Sequence, residues 1–290
     1  MPSTCTWLDN IKMKHALATV VFSALFALLF PLFYPSLSGS AEYITVSGCS
    51  ISNVGYLTAL AKEYERRTGV RVFVRGGGSM VGIEDLRSGK VDLAAACRSR
   101  DAGDPGDITF IQVAWDALVF IVHESNPVQN ITLDEVRSIY AGRLTNWRRL
   151  KGLDAPVKVF ISRSRSGLSG VEASTNKLVL QGVEPVKTPH TFFVASSGIV
   201  EQMVEETPDA FAATGITSAR KRNVKILKVN GVTPTNGAII KNRYPLKRPL
   251  YLLLPKTPRP EVKQFVDFVL SSEGQRFISS QNVISLLDMK

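Results

Sequence analysis

The sequence predicts an α/β fold with mostly parallel sheets flanked by helices, and three observations lead to it. Strand-like runs and segments of helical periodicity alternate from residue 43 to 96 in the order β-α-β-α-β. This order is typical of parallel strands connected by helices. Each of these strands is followed by small, hydroxyl-bearing or basic residues, in the position where α/β proteins bind ligands. No internal repeat or low-complexity linker interrupts the chain.

The first β-α-β-α-β unit is predicted element by element. In order, we expect a strand at 43–47, a helix with Val54, Leu57, Ala61 and Tyr64 on its inner face, a strand at 70–74, a short helix at 81–88 and an apolar strand at 91–96. Gly69 ends the first helix and Gly89 the second, as glycine commonly does.

The rest of the chain continues the alternation. Further strands are predicted at 108–113, 117–123, 157–161, 224–229 and 249–254. Thr132 and Glu135 form a capping box that begins a helix with Leu133, Val136, Ile139 and Tyr140 inward. Pro260 starts a late helix with Val262, Phe265, Val266, Val269 and Leu270 on one face.

The N-terminus has the layout of an export signal. Lys12 and Lys14 precede an apolar run at 16–34, and small residues lead to a cleavage position after Ala41. An uncleaved anchor helix is the alternative, because the run is almost long enough to span a bilayer. Val46–Cys49 resembles a lipoprotein cleavage box, but it lies inside the predicted first strand and its loop, so we interpret it as a chance match.

Composition narrows the function classes. The 290-residue chain has a formal net charge of +10, which suits anionic ligands, nucleic acids or membrane surfaces. Its basic residues are scattered, and it has neither an RNA-binding aromatic signature nor zinc-ligand spacing, so neither nucleic-acid binding nor a metal is expected. His123 and His190 lack ligand spacing. No Gly-x-Ser-x-Gly elbow with a following Asp and His appears, so no catalytic residue is predicted.

Four loops share the chemistry of an anion site: 47–52, 76–79, 97–100 and 163–167. Their glycines let backbone N–H groups approach a ligand, and the helices that follow direct positive dipole ends to the same place. Hydroxyls and guanidinium groups complete the set. The candidate ligand-binding residues are Ser50, Ser52, Ser79, Arg98, Arg163, Ser166 and Gly167.

Two cysteines remain after export. Cys49 and Cys97 follow the first and third strands, which are neighbours in many doubly wound sheets, so a disulfide in an oxidising compartment is possible. Two thiols lining a cleft are the alternative, and the sequence leaves both open.

Several stretches together resemble the substrate-binding proteins of phosphate ABC transporters, of the type II periplasmic binding protein fold. The stretches, which run in the same order through almost the whole chain after residue 44, are 77–79 with 82–86, 89–93 leading to Arg98, 115–118, 126–128, 139–147, 230–235, 244–252 and 272–275. Ser79 matches the family serine that binds phosphate, and Arg98 matches the arginine that follows the third strand. Arg163 and the pair Ser166-Gly167 match an arginine and a Ser-Gly pair of the second lobe. Ile51, Cys97 and Leu168 depart from the family pattern.

This resemblance implies a two-lobed protein that closes on phosphate or a related oxyanion. Lobe 1 would comprise 42–116 plus 250–290, lobe 2 would comprise 117–249, and 1–41 would be the signal peptide. It further implies a periplasmic monomer without a cofactor or enzymatic activity. Its partner would be an ABC transporter permease, and it would meet the membrane only through that transporter or an uncleaved signal.

Two other roles remain open. One is a periplasmic sensor or scavenger of a different anion or small acid. The other is an enzyme acting on phosphate esters, although the constellation of groups for it is missing. Phosphate selectivity calls for a carboxylate that accepts the proton of hydrogen phosphate. Asp92, Asp101 and Asp116 are the nearby candidates, and none is placed convincingly by the sequence.

Overall fold

The first part of the molecule forms the predicted β-α-β-α-β unit. The computed structural model describes residues 43–164 and 167–290, so the predicted signal segment lies outside the described residues. The elements are β1 (Tyr43–Gly48), α1 (Ser50–Ser52, continued by a π-helical turn at Asn53–Leu57 and by Thr58–Thr68), β2 (Arg71–Gly76), α2 (Ser79–Arg87) and β3 (Leu93–Ala96). Strands β2 and β3 flank β1 and run parallel to it, as Val46 pairs with both Val74 and Leu93. The loops after all three strands therefore meet at one edge of the sheet.

The π-helical turn decides which side of α1 faces the core. Leu57, Ala61 and Tyr64 are buried as predicted, but Val54 is 37% exposed, so its predicted inward position is wrong. A π turn contains more residues than an α turn, which rotates the preceding residues around the helix axis. Tyr56 occupies the interior instead and is completely buried.

Strand β4 (Thr109–His123) is one 15-residue strand where the sequence predicts two. Its first part pairs antiparallel with β12 (Lys247–Leu254), and its second part pairs antiparallel with β9 (Ala210–Gly215). The predicted break around Asp116 is wrong because the carboxylate is paired with Arg248 of β12, which compensates its burial in mid-strand. Strand β4 thus connects the two halves of a continuous sheet.

The part of the sheet beyond β4 also contains parallel strands. Strand β6 (Lys158–Ser164) has the parallel neighbours β8 (Thr191–Val194) and β9, and it forms a short hairpin with β7 (Gly167–Leu168). The helices here are α3 (Leu133–Tyr140), α4 (Gly170–Thr175, continued by a π-helical segment at Asn176–Leu180), α5 (Ser197–Glu206) and α6 (Ile216–Ala219). The capping box of α3 is confirmed, since Thr132 and Glu135 each accept the backbone N–H of the other.

The remaining elements cover the sheet and its edges. They are β5 (Asn130–Ile131), a 3₁₀ turn at Trp147–Leu150, β10 (Val224–Ile226), β11 (Lys228–Val229), α7 (Asn236–Ile240), α8 (Pro260–Leu270), α9 (Ser272–Ser280), β13 (Ile284–Ser285) and a 3₁₀ turn at Leu287–Met289. The predicted strand at 224–229 is therefore two short strands. In α8 the predicted apolar face is buried except for Leu270, which is 38% exposed at the end of the helix.

The predicted α/β class is confirmed. The main path through the sheet is β2-β1-β3-β12-β4-β9-β6-β7. We call the part with β1, β2, β3 and β12 the first half and the part with β6, β8 and β9 the second half. Residues 42–290 form one compact unit, and the lobe boundaries after residues 116 and 249 stay a prediction. None of the helices described is long and apolar enough to cross a bilayer.

Candidate anion site

Two predicted serines lie at the carboxyl edge of the first half of the sheet. Ser50 begins α1 directly after β1, and Ser79 begins α2 after the glycine loop; both are buried. Gly78 adopts φ of 102° just before Ser79, a conformation that favours glycine. The Ser79 Oγ accepts a hydrogen bond of 3.2 Å from the backbone N–H of Cys97, which ties the second loop to the third.

The second half contributes three buried serines. Ser162 near the end of β6 and Ser169 before α4 have their Oγ atoms 2.5 Å apart, and Ser197 at the start of α5 donates to Ser162 Oγ over 3.2 Å. Ser169 also caps α4 by accepting the N–H of Glu172. These hydroxyls form one connected network at the carboxyl ends of β6 and β8.

The two sets of serines face each other at close range. A Cβ built on Gly170, the first residue of α4, would lie 2.5 Å from Ser79 Oγ and 2.6 Å from Cys97 Sγ. A Cβ on Gly198 would lie 3.8 Å from the Cβ of Ser50. Hydroxyls and helix N-termini from both halves therefore converge on one place.

The convergence of helix starts gives the site its electrostatic character. Helices α1, α2, α4 and α5 all begin here, at Ser50, Ser79, Gly170 and Ser197. The first N–H groups of a helix have no partner within it, and its dipole places partial positive charge at this end. The arrangement can hold a small anion by hydrogen bonds without a formal charge beside it.

Arg98 is buried beside the site, and its charge is already paired. Its guanidinium donates to both carboxylate oxygens of Asp104, over 2.7 and 2.6 Å, and to the sulfur of Met80. The hydrogen bonds to Asp104 raise the pKa of Arg98. Contact between Arg98 and the anion therefore stays a prediction, and the anion would compete with Asp104 for this arginine.

Arg163 lies within β6, not in the loop after it, so its predicted placement is wrong. Its guanidinium donates to Glu172 Oε1 over 2.6 and 2.9 Å and to Glu184 over 2.9 Å, and it covers the ring of Phe193. The hydrogen bonds to Glu172 raise the pKa of Arg163. Burial raises the pKa of Glu172 despite this partner. Two carboxylates thus surround the arginine.

The other predicted residues have different positions. Ser52 is completely buried, and its Oγ makes no hydrogen bond within the described residues; the same holds for the Tyr56 hydroxyl one turn along α1. Ser166 lies outside the described residues. Gly167 pairs with Ser164 in the β6–β7 hairpin.

Sequence reasoning missed Ser162, Ser169, Gly170 and Ser197. The available signal is a Ser-Gly pair at the start of a helix, which occurs at Ser169-Gly170 and at Ser197-Gly198, whereas the prediction for this part of the chain names Ser166-Gly167.

The two cysteines are free thiols in the structure, the second of the two alternatives. Both are buried, and each shifts the pKa of the other. Burial raises the pKa of Cys49 well above its ordinary value. The hydrogen bond from Cys49, together with the charge of Arg248, lowers the pKa of Cys97.

A buried ion pair lies next to the candidate site and holds its elements in place. Asp116 Oδ2 accepts from Nε and Nη2 of Arg248, over 2.9 and 2.7 Å, and Asp116 Oδ1 accepts from the backbone N–H of Thr217. Arg248 also donates to Gly170 O and to Ser174 Oγ. The pair therefore links β4 and β12 to the first turn of α4.

The candidate acceptors for a phosphate proton are engaged or exposed. Asp92 accepts from Thr45 and pairs with Arg259, Asp116 is paired as above, and Asp101 is exposed. Among the described residues no group of three or more His, Cys, Asp or Glu side chains is arranged to hold a metal ion.

Comparisons with known proteins agree with this architecture. The profile of the PBP superfamily domain matches residues 36–273. The phosphate-binding protein PstS of Borreliella burgdorferi is 28% identical over 278 residues, which cover 92% of this chain and 98% of that protein. PstS of Bacillus subtilis is 25% identical over 251 residues, covering 85% and 82%. The crystal structure of a phosphate ABC transporter substrate-binding protein from Clostridium perfringens, described as putative and with bound phosphate, superposes with a TM-score of 0.74 at 25% identity, covering 84% of this chain and 100% of that one.

Proposed function

This chain belongs to the PBP superfamily, and we propose on that basis that it captures phosphate between the two halves of its sheet and presents it to an ABC transporter. The relatives named as phosphate-binding proteins, and the similar structure with bound phosphate, support this assignment. The protein would act by binding alone. It would be exported, with residues 1–41 as its signal peptide, and its macromolecular partner would be the transporter permease.

The observation that carries the proposal is the meeting of four helix starts and buried serines around Gly170. Ser50 and Ser79 from the first half, and Ser169 and Ser197 from the second half, would donate to the phosphate oxygens together with backbone N–H groups. Because the donors come from both halves, a bound anion would hold the halves together. Binding would thus favour the closed arrangement expected of a two-lobed protein.

The arginines would have a supporting role in this proposal. Arg98 and Arg163 already have carboxylate partners at 2.6–2.9 Å, and these partners offset most of the charge that either arginine would offer to a phosphate. We therefore expect Arg163→Ala to weaken phosphate binding less than the loss of Ser79 or Ser169.

Calorimetric titration of residues 42–290 with phosphate tests the proposal. A hydrogen bond to a charged group contributes about 1.5–3 kcal/mol, so Ser79→Ala and Ser169→Ala should each raise the Kd roughly 10- to 150-fold. Ser280→Ala is the matched control, because this serine is exposed at the end of α9. Absence of phosphate binding by the folded, ligand-free protein would refute the proposal.

A second candidate keeps the fold and changes the ligand. Asp92 and Asp116 are engaged and Asp101 is exposed, so none of the three candidate aspartates is placed to repel a fully ionised oxyanion. A sensor or scavenger of sulfate or a small acid would fit such a site. Titration with sulfate separates the two: binding of sulfate with an affinity equal to or above that of phosphate would favour this candidate.

A further inference from the structure

A cavity lies beside Arg248, which forms part of its wall. Its volume is about 450 Å³, and its wall comes from the turn after β3, from α4 and from the start of β12. The charged side chains that line it are Arg98, Arg100, Asp101, Lys177, Lys247 and Arg248.

The charges of this cavity do not cancel. Arg98 is neutralised by Asp104 and Arg248 by Asp116. Arg100, Lys177 and Lys247 form no ion pair within the described residues, and the carboxylate of Asp101 is the remaining negative group in the wall. The cavity therefore has an excess of two positive charges.

The three unpaired cations are available to a ligand. Arg100 donates through one nitrogen to Pro105 O and lies over the ring of Phe110, and it retains its other N–H groups. Lys247 lies over the ring of Trp115 and donates to Asn242, and an ammonium group has three hydrogens to donate. Lys177 is exposed on α4.

The cavity differs from the candidate phosphate site in its lining residues, because none of the serines proposed to bind phosphate belongs to its wall. Ser174 and Arg248, which do belong to the wall, bind the backbone next to that site: Ser174 Oγ donates to Gly170 O over 2.7 Å, and Arg248 donates to both Gly170 O and Ser174 Oγ. Its volume falls in the range of sites for small organic molecules, which is far more than one phosphate ion requires. Leu178 and Pro249 provide apolar wall on which an organic group could rest.

We propose that this cavity is a second binding site, which takes a small organic dianion of the phosphate monoester class. The phosphate group would be held by Arg100, Lys177 and Lys247, and the organic part would lie against Leu178 and Pro249. Arg100 follows β3 in the first half of the sheet, whereas Lys177 belongs to α4 in the second half, so the ligand would bridge the two halves. This proposal stands independently of the identity of the ligand at the Gly170 site.

Titration of residues 42–290 with glycerol 3-phosphate, in the presence of excess inorganic phosphate, tests the second site. We expect one equivalent to bind, with a Kd that rises at least tenfold in the Lys177→Ala/Lys247→Ala double variant and with increasing salt. Lys263→Ala, an exposed lysine on α8 outside the cavity, is the matched control and should bind as the unmodified protein does.

The same titration on Ser50→Ala identifies the site used. Ser50 is one of the serines proposed to bind phosphate at the Gly170 site, and it begins α1, which contributes no residue to the cavity wall, so the affinity for glycerol 3-phosphate should be unchanged. The proposal is overturned if glycerol 3-phosphate does not bind at millimolar concentration, if the double lysine variant binds it as well as the control, or if Ser50→Ala abolishes binding.

Discussion

The substitution Gly170→Ala tests the candidate phosphate site most directly, because its added methyl group would occupy the place where the two halves meet. The new Cβ would lie 2.5 Å from Ser79 Oγ and 2.6 Å from Cys97 Sγ, where ordinary van der Waals contact begins at 3.4 Å. Both neighbours are buried, and Ser79 Oγ is held by the N–H of Cys97. The start of α4 must therefore move away from the first half by several tenths of an ångström, up to about 1 Å.

The cost of this displacement gives the expected magnitude. Forcing one extra methyl group into a well-packed position costs about 1–3 kcal/mol. The cost falls on the arrangement in which both halves contact the ligand, so it should appear as a 5- to 150-fold increase in the Kd for phosphate. Alanine is otherwise well suited to the first turn of a helix, which makes a large loss of folding stability unexpected.

The assay is calorimetric titration with phosphate, together with a thermal unfolding curve for each variant. Gly237→Ala in α7 is the matched control, because no atom lies within 4 Å of the Cβ it would introduce. The control should bind as tightly as the unmodified protein. A folded Gly170→Ala variant with a Kd within twofold of the control would refute the reasoning, since the ligand could not then depend on close approach of α4 to Ser79.

Three further predictions concern stability and the thiols. Asp116→Asn leaves Arg248 buried without its counter-charge, so urea unfolding should show a loss of about 3–5 kcal/mol; a loss below 1 kcal/mol would contradict the role of the pair. Burial raises the pKa of Glu201 above its ordinary 4.5, so the folded state holds this proton more tightly than the unfolded state and stability is lost as the pH rises from 4.5 through the raised value. The Glu201→Gln variant has no such proton to lose. Its unfolding free energy, measured with urea and taken relative to that of the unmodified protein, should therefore rise with pH over this interval. A difference that stays flat or falls would contradict the raised pKa. In the protein comprising residues 42–290, Cys49 and Cys97 should react with a thiol reagent only after unfolding, whereas no reaction after unfolding would indicate a disulfide.

An exposed ion pair provides the comparison for the Asp116 variant. Asp134 pairs with Arg137 on the surface of α3, where the carboxylate side chain is 90% exposed. Exposed pairs of this kind contribute about 0–1 kcal/mol, so Asp134→Asn should change the unfolding free energy by no more than that. The contrast between the two variants isolates the effect of burial.

Much of the fold could be predicted because its signals are local. The alternation of β and α segments in the first half, the capping box at Thr132 and the start of α8 at Pro260 each depend on residues a few positions apart. Ser50 and Ser79 were found for the same reason, since each begins a helix directly after a strand or its glycine loop. Local periodicity failed at Val54, where a π turn changes the residue spacing, and at β4, where a partner in β12 stabilises Asp116 in mid-strand.

The sequence by itself determined the α/β class, the edge of the sheet where a ligand would bind and the small, hydroxyl-bearing chemistry of that edge. Only the tertiary structure decided which groups meet there. Arg163 lies nine positions from Glu172 and 21 from Glu184, and its charge is taken up by both. Gly170 and Ser79 are 91 positions apart and nearly touch. Strand and helix patterns reflect interactions between near neighbours in the chain, whereas the pairing of charges and the closeness of two loops depend on how distant segments pack together.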